Sequence, residues 1–241
     1  MEVIVNRVTV DYNGKRALDN ISFSLGEGVH ILLGSNGSGK TTLLKVLAGL
    51  IKPTQGVVKI NGIIPWSISR KKLARIVGYV WQNPYYGFVE ARVIDEIKFI
   101  LEATGAEGNW FIVEKLVPRE LFERDPFTLS GGEARRVSIA SVLVADQDVW
   151  LLDEPFANLD NKGVNDLIEV IDYGRRRGKT IIIATHHVLY ADMVEPDTLL
   201  LLDNGRLVLT GDWSSATDDV LMKHRVMPRG VLCGENIQRS K

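Results

Sequence analysis

A single cysteine, Cys233, stands among 241 residues. That excludes an internal disulfide framework and a zinc site built from cysteines, and it fits a reducing compartment. An excess of one charge is missing as well. With 29 Lys and Arg against 30 Asp and Glu the formal net charge is −1, so there is no general basic face of the kind nucleic acid attracts, and no nucleic-acid partner is expected. Long apolar runs are also lacking. VWLL at 149–152 and the stretch 181–184 are among the longest, far short of the ~18 residues that a membrane span needs. The amino-terminal MEVIVNRVTV carries early charges and no long apolar stretch, so no secretory signal is read there. The chain is expected to be soluble by itself, and work at a membrane would have to come from docking onto something else.

What is present is enough for a real core, since 45% of residues are hydrophobic. No repeats and no low-complexity linker interrupt it. VIVNRVTVDY and ALDNISFSL alternate apolar and polar residues, as two strands of an antiparallel sheet would. VHILLG (29–34) is short, apolar and closed by glycine. It reads as a buried parallel strand, with a helix over 41–50 following it. VVKING (57–62) reads as a strand closing on an Asn-Gly turn, and IVGYV (76–80) as a second buried strand. The pattern turns helical from about 91 to 145. Strands at 149–153 and 180–185 then flank a helix near 164–176, and 199–203 with 206–210 form a hairpin across Asn204-Gly205. Strands alternating with helices imply an α/β fold on a parallel sheet, with an antiparallel edge and an inserted helical block.

The chemistry begins at residues 34–42, GSNGSGKTT. Gly34, Gly39, Lys40 and Thr41 satisfy the G-x-x-x-x-G-K-[ST] pattern between a strand and a helix, which is the context a phosphate-binding loop requires. Gly37 and Gly39 let the backbone curl so that successive N–H groups of Ser35, Asn36, Ser38 and their neighbours face phosphate. The helix N-terminus adds partial positive charge there. Lys40 would neutralise the β- and γ-phosphates, and the hydroxyls of Thr41 and Thr42 stand at the helix start, Thr41 within reach of Mg²⁺. VWLLDEP (149–155) supplies acids at the C-terminal end of a buried strand, where ligands gather in open α/β sheets. Asp153 would hold Mg²⁺, and Glu154 would orient and polarise the attacking water.

With LSGGE at 129–133, just before these acids, the sequence resembles the nucleotide-binding subunit of an ATP-binding-cassette protein. Its fold would be the P-loop ATPase type: a RecA-like parallel core, an N-terminal antiparallel β subdomain and a helical insertion at about 85–145. The chain reads as one ATPase domain over 1–241, with a short C-terminal extension at 212–241. The resemblance runs over roughly residues 2–211 and implies that Ser130, Gly131 and Gly132 reach the ATP of a second subunit. Ser130 and Glu133 also spell a capping box opening a helix. A plain cap does not explain two consecutive glycines.

Other positions carry over one by one. Tyr12 matches the aromatic that stacks on adenine. Gln82 matches the loop glutamine that senses Mg²⁺ and water and couples to a transmembrane partner. Asp160, in ANLD, matches the loop that communicates across the dimer, and His186 matches the histidine that contacts the γ-phosphate. Two residues depart from the pattern: Glu133 stands where Gln is usual, and His187 where Asp is common. A carboxylate near phosphate would be repelled, so Glu133 is expected to turn back to the Ser130 N–H or outward.

VWQNPYYGFVEARVIDEIKF (80–99) is similar to the corresponding segment of energy-coupling-factor and cobalt/nickel-type uptake ATPases. Tyr85, Tyr86 and Phe88 could either receive a partner's coupling helix or pack the helical block onto the core. The resemblance thus implies an ATPase that uses ATP and Mg²⁺. It would pair with a like or related ATP-binding subunit and dock near Gln82 and residues 85–88 on a transmembrane component, at the cytoplasmic face of the cell membrane. A soluble cassette ATPase with an assembly role, such as iron–sulfur cluster biogenesis, is the alternative. In the tail, WSSATDDVLMKH could form a capped helix, while MPRGVLCGENIQRSK shows no period.

Overall fold

A computed structural model describes residues 1–12 and 14–229. In chain order the strands and helices are β1 (Val3–Tyr12), β2 (Lys15–Leu25), β3 (Gly28–Leu33), α1 (Lys40–Leu47), β4 (Gln55–Ile60), α2 (Arg70–Ala74), β5 (Val77–Val80), α3 (Val93–Thr104), α4 (Trp110–Leu116), α5 (Gly131–Leu143), β6 (Val149–Asp153), α6 (Asn161–Arg176), β7 (Thr180–Thr185), α7 (Val188–Met193), β8 (Thr198–Asp203), β9 (Arg206–Gly211) and α8 (Asp218–Lys223).

Two sheets result. β2-β1-β4 is antiparallel throughout. The six-stranded sheet runs β5-β6-β7-β3-β8-β9, parallel except for the last strand. β3, β6 and β7 lie inside this sheet and are buried along their whole length, which is why they read as continuous apolar runs rather than alternating ones. β1 and β2 have one wet face, and their alternation follows from it.

The sheets sandwich α1. One core cluster joins Val5, Val8, Leu18 and Ile21 of the antiparallel sheet to Leu43, Leu44 and Leu47 of α1 and to Leu151 and Ile182 below it. The other packs the opposite face of the parallel sheet, through Ile31, Trp150, Leu152 and Ile183, against α5, α6 and the helical stretch α3–α5. α1 is shorter than the expected 41–50, because Gly49, at φ +66°, turns the chain out of the helix after Ala48. α6 starts three residues earlier than expected, since Asp160 caps it by accepting the Gly163 N–H at 2.7 Å. Both Asn-Gly turns form, at Asn61-Gly62 and Asn204-Gly205, with positive φ at all four residues.

In the tail, Thr217 caps α8. The helix is tied back to the core, with Arg229 on Asp192 and His224 and Arg225 on Asp203. The remainder of the extension, with Cys233, lies outside the described residues. Among the described residues no helix is long and apolar enough to cross a membrane.

Candidate functional site

The end of β3 delivers the glycine loop. Gly34 must be bare: a Cβ there would stand 2.3 Å from the Leu202 carbonyl oxygen and 2.6 Å from Ser38 Oγ. Gly39 has φ +110° and lies so close to Ala17 that a Cβ would meet its carbonyl oxygen at 2.9 Å. The loop is therefore pressed between the β1–β2 hairpin and the β8–β9 turn. Gly205 N–H donates to the Ser38 carbonyl at 2.8 Å from the turn side.

Lys40 is buried and donates to the Gly34 carbonyl at 2.7 Å and the Ser35 carbonyl at 3.2 Å. Burial lowers its pKa, and the charges of Glu154 and Asp153 oppose that. A buried cation whose partners are two neutral carbonyls and an acid 4.0 Å away (Glu154) is one that an incoming polyphosphate can satisfy better.

β6 places the two acids beside it. Asp153 is fully buried, and burial raises its pKa, offset by the Thr41 hydroxyl. The Tyr79 hydroxyl donates to its Oδ2 at 3.4 Å, while Oδ1 is buried without a partner. A buried, half-satisfied carboxylate next to Thr41 at the foot of a phosphate loop fits a divalent cation such as Mg²⁺. Among the described residues no group of three or more His, Cys, Asp and Glu could hold a metal alone, so such an ion would need phosphate oxygens.

Glu154 has a left-handed backbone, φ +49°. Its Oε1 accepts a 2.6 Å hydrogen bond from His186 Nδ1, and its Oε2 accepts one from the Thr185 hydroxyl at 3.2 Å. A carboxylate only accepts, so Nδ1 carries the proton and Nε2 is left for other chemistry.

An open cleft of about 650 Å³ gathers Tyr12, Asn36, Gly37, Gly39, Lys40, Thr41, Thr42, Gln82, Asp153 and Glu154. Gly34, Ser35 and Ser38 build the loop from behind, and His186 touches the group through Glu154. Ser130, Gly131, Gly132 and Asp160 do not line this cleft. Ser130 opens α5 in a full capping box, accepting the Glu133 N–H and donating its own N–H to Glu133 Oε2 at 2.8 Å. The Glu133 carboxylate therefore turns back as expected, and the Ser130 N–H holds its pKa down.

Gly131 lines a neighbouring cleft of about 480 Å³ with Gln82, Trp81 and Asn158. The aromatic group divides. Phe88 is buried and Tyr85 donates its hydroxyl to the Leu129 carbonyl, both packing with Phe127, while Tyr86 is 73% exposed. Phe88 therefore packs the helical block and cannot meet a partner directly.

Sequence reasoning missed seven contributing residues. Lys15, Arg16 and Ala17 line the cleft from the β1–β2 hairpin, and Asn204 and Gly205 close it from the opposite turn. Arg135 is buried and holds the Trp81 and Gln82 carbonyls. Asn158 packs on the signature glycines, its carbonyl 2.8 Å from where a Gly132 Cβ would be. The Asn-Gly turn was the one local signal, and it indicated a turn, not a wall of the cleft.

A strand–loop–helix phosphate cradle with an Asp–Glu pair on the adjoining strand end, inside a parallel sheet, defines a P-loop nucleoside triphosphatase. The ABC transporter family model matches residues 18–157. A putative ABC transporter ATP-binding protein of Pyrococcus horikoshii is 43% identical over 205 residues, 82% of this chain and 78% of its own. An energy-coupling factor transporter ATP-binding protein of Thermotoga maritima is 36% identical over 238 residues, 92% and 87%. Among solved structures, CbiO1 of Clostridium perfringens, part of an ABC transporter complex, aligns with a TM-score of 0.71 at 29% identity, covering 92% of this chain and 93% of that one. The chain belongs to the ABC transporter family, as an ATP-binding subunit that hydrolyses ATP to drive transport. A second solved cassette, the bacterial ABC transporter cassette MJ0796, is dimeric; it aligns with a TM-score of 0.77 at 25% identity, covering 87% of this chain and 98% of that one. The soluble assembly role is not favoured.

Proposed function

We propose that this chain powers an energy-coupling-factor-type uptake system for a vitamin or metal ion, from the cytoplasmic face of the membrane. The observation that carries the reading of the site is the Glu154 carboxylate, fixed by His186 and Thr185 beside Lys40 and the loop at 34–42. In this reading Tyr12, exposed at the cleft mouth, stacks on adenine. Loop N–H groups and Lys40 take the phosphates, and Glu154 orients the attacking water. His186 steadies Glu154 through Nδ1 and presents Nε2 towards water or phosphate. Thr41 and Asp153, with Gln82 above them, would hold Mg²⁺, which when bound offsets phosphate charge.

Ser130, Gly131 and Gly132 do not line the chain's own cleft and are assigned to the ATP of a second subunit. Asp160 serves that interface through the loop it braces, since its carboxylate is occupied by the Gly163 N–H. Residues 1–241 act as one ATPase domain, with about 85–145 as its helical insertion and 212–241 as an extension. The membrane component would dock near exposed Gln82 and Tyr86. The kinship with the Thermotoga protein and with CbiO1 supports the uptake class.

The test of the site is Glu154→Gln. Phosphate release should fall about 10²–10⁴-fold, with an ATP-held dimer persisting on a sizing column. A variant that turns over normally would sink the assignment. Purifying the native complex and identifying its membrane subunit tests the uptake class.

A further inference from the structure

His187 stands where Asp is common in the family, and its ring is built into a column. The His186 and His187 ring centroids are 3.9 Å apart, tilted by 43°. His187 meets Tyr190 edge-on at 5.6 Å, and Tyr190 stacks on Phe156 at 4.9 Å and 17°. Phe156 is 2% exposed, so the foot of the column is anchored in the core. It also lies two residues after Glu154, and His186 returns to Glu154 through its 2.6 Å hydrogen bond. The contacts thus form a closed circuit that begins and ends at Glu154. A polar path runs beside it: His187 N–H donates to Thr185 Oγ1 at 3.0 Å, and that hydroxyl donates to Glu154 Oε2 at 3.2 Å.

We propose that His187 is a positioning residue, whose ring face fixes the orientation of His186 against Glu154 without exchanging a proton itself. The inference rests on Glu154 and His186 being the reacting pair. His186 leaves 36% of its side chain exposed, and one hydrogen bond alone would let the ring swing about it. Contact with a second ring removes that freedom. Burial and the neighbouring His186 both lower the His187 pKa, so at neutral pH the column presents a neutral π-face. Phe156 also opens the loop at 157–160 that packs on Gly131 and Gly132, so the column links that loop to the pair.

The test compares His187→Ala with His187→Phe in the full chain with Mg-ATP. A displaced ring costs reaction geometry rather than binding, so His187→Ala should lower kcat about tenfold and leave the KM for ATP within about twofold. His187→Phe restores the ring face and should return kcat to within about threefold of the parent. A readout independent of turnover is the His186 Nδ1–H resonance, observed by NMR. It should stay sharp and downfield in the parent and His187→Phe, and broaden in His187→Ala. Phe no better than Ala, or an unchanged resonance in the Ala variant, overturns the inference. Glu154→Gln and His186→Ala separate the two ideas. If both hydrolyse like the parent, the reacting pair is wrong; if both lose activity while His187→Ala does not, only the role of His187 is wrong.

Discussion

Arg135 is the residue whose replacement tests the architecture of the site most sharply. Its side chain is 1% exposed and reaches from α5 to the end of β5, donating Nη1 to the Trp81 carbonyl at 2.7 Å and Nη2 to the Gln82 carbonyl. Burial pushes its pKa down, and the charges of Asp153 and Glu154 hold it up. Arg135→Met keeps the apolar volume and removes both bonds. Each hydrogen bond from a charged donor contributes about 1.5–3 kcal/mol. Relief of the desolvated guanidinium returns part of that, leaving a net loss of about 2 kcal/mol. For a chain of this size that corresponds to a fall in Tm of about 4–8 °C. Arg135→Lys can serve one carbonyl but not the fork, so it should fall between. The carbonyls tether the backbone that presents Gln82, whereas the loop at 34–42 is untouched. ATP affinity of the monomer should therefore hold while turnover drops. Thermal denaturation by circular dichroism, titration calorimetry and phosphate release measure the three quantities. Parent-like Tm and turnover in Arg135→Met would refute the argument.

Other expectations follow from close approaches and from burial. In Gly174→Ala the new Cβ would stand 2.5 Å from the Trp150 ring and 2.9 Å from Ile181 Cδ1. Overpacking there should cost about 1–3 kcal/mol in urea denaturation, with ATP affinity unchanged. Gly132→Ala drives a Cβ to 2.8 Å from the Asn158 carbonyl oxygen. It should weaken the ATP-dependent dimer on a sizing column while leaving nucleotide binding by the monomer intact. Glu96 is buried and accepts the Val89 and Glu90 N–H groups, and burial raises its pKa. A raised carboxylate contributes stability that is full below its unfolded pKa and is lost as pH rises through the folded one. Glu96→Gln should therefore stabilise the chain most at neutral pH, the gain shrinking as pH falls into the carboxylate range; a pH-independent difference in Tm would contradict this.

The order of strands and helices was legible because each strand's pattern reports its own surroundings. VHILL and TIIIAT are buried throughout and mostly apolar, since sheet neighbours flank them on both sides and other layers cover both faces. The glycine loop and the Asp153-Glu154 pair were legible because their spacing encodes local geometry. What escaped depends on contacts between distant segments. No local pattern says that Arg135 bridges to Gln82, 53 positions away, or that Gly205 braces Ser38. Asp160 illustrates a residue with two readings, since the same short acid that fits a cross-dimer loop also caps α6. The aromatics at 85–88 could not be apportioned between core and surface until Phe127, some forty positions later, was seen to close over Tyr85 and Phe88.

The left-handed backbone at Glu154 has a consequence for anyone who evolves this protein in the laboratory. A non-glycine residue at φ +49° carries about 1–3 kcal/mol of conformational strain. Glycine or asparagine at the same position would release much of it, and the buried charge besides. Screens for heat tolerance alone should therefore enrich replacements at residue 154, yielding sturdier proteins that clasp ATP and no longer spend it. Pairing each round of thermal selection with a turnover screen would keep the two properties together.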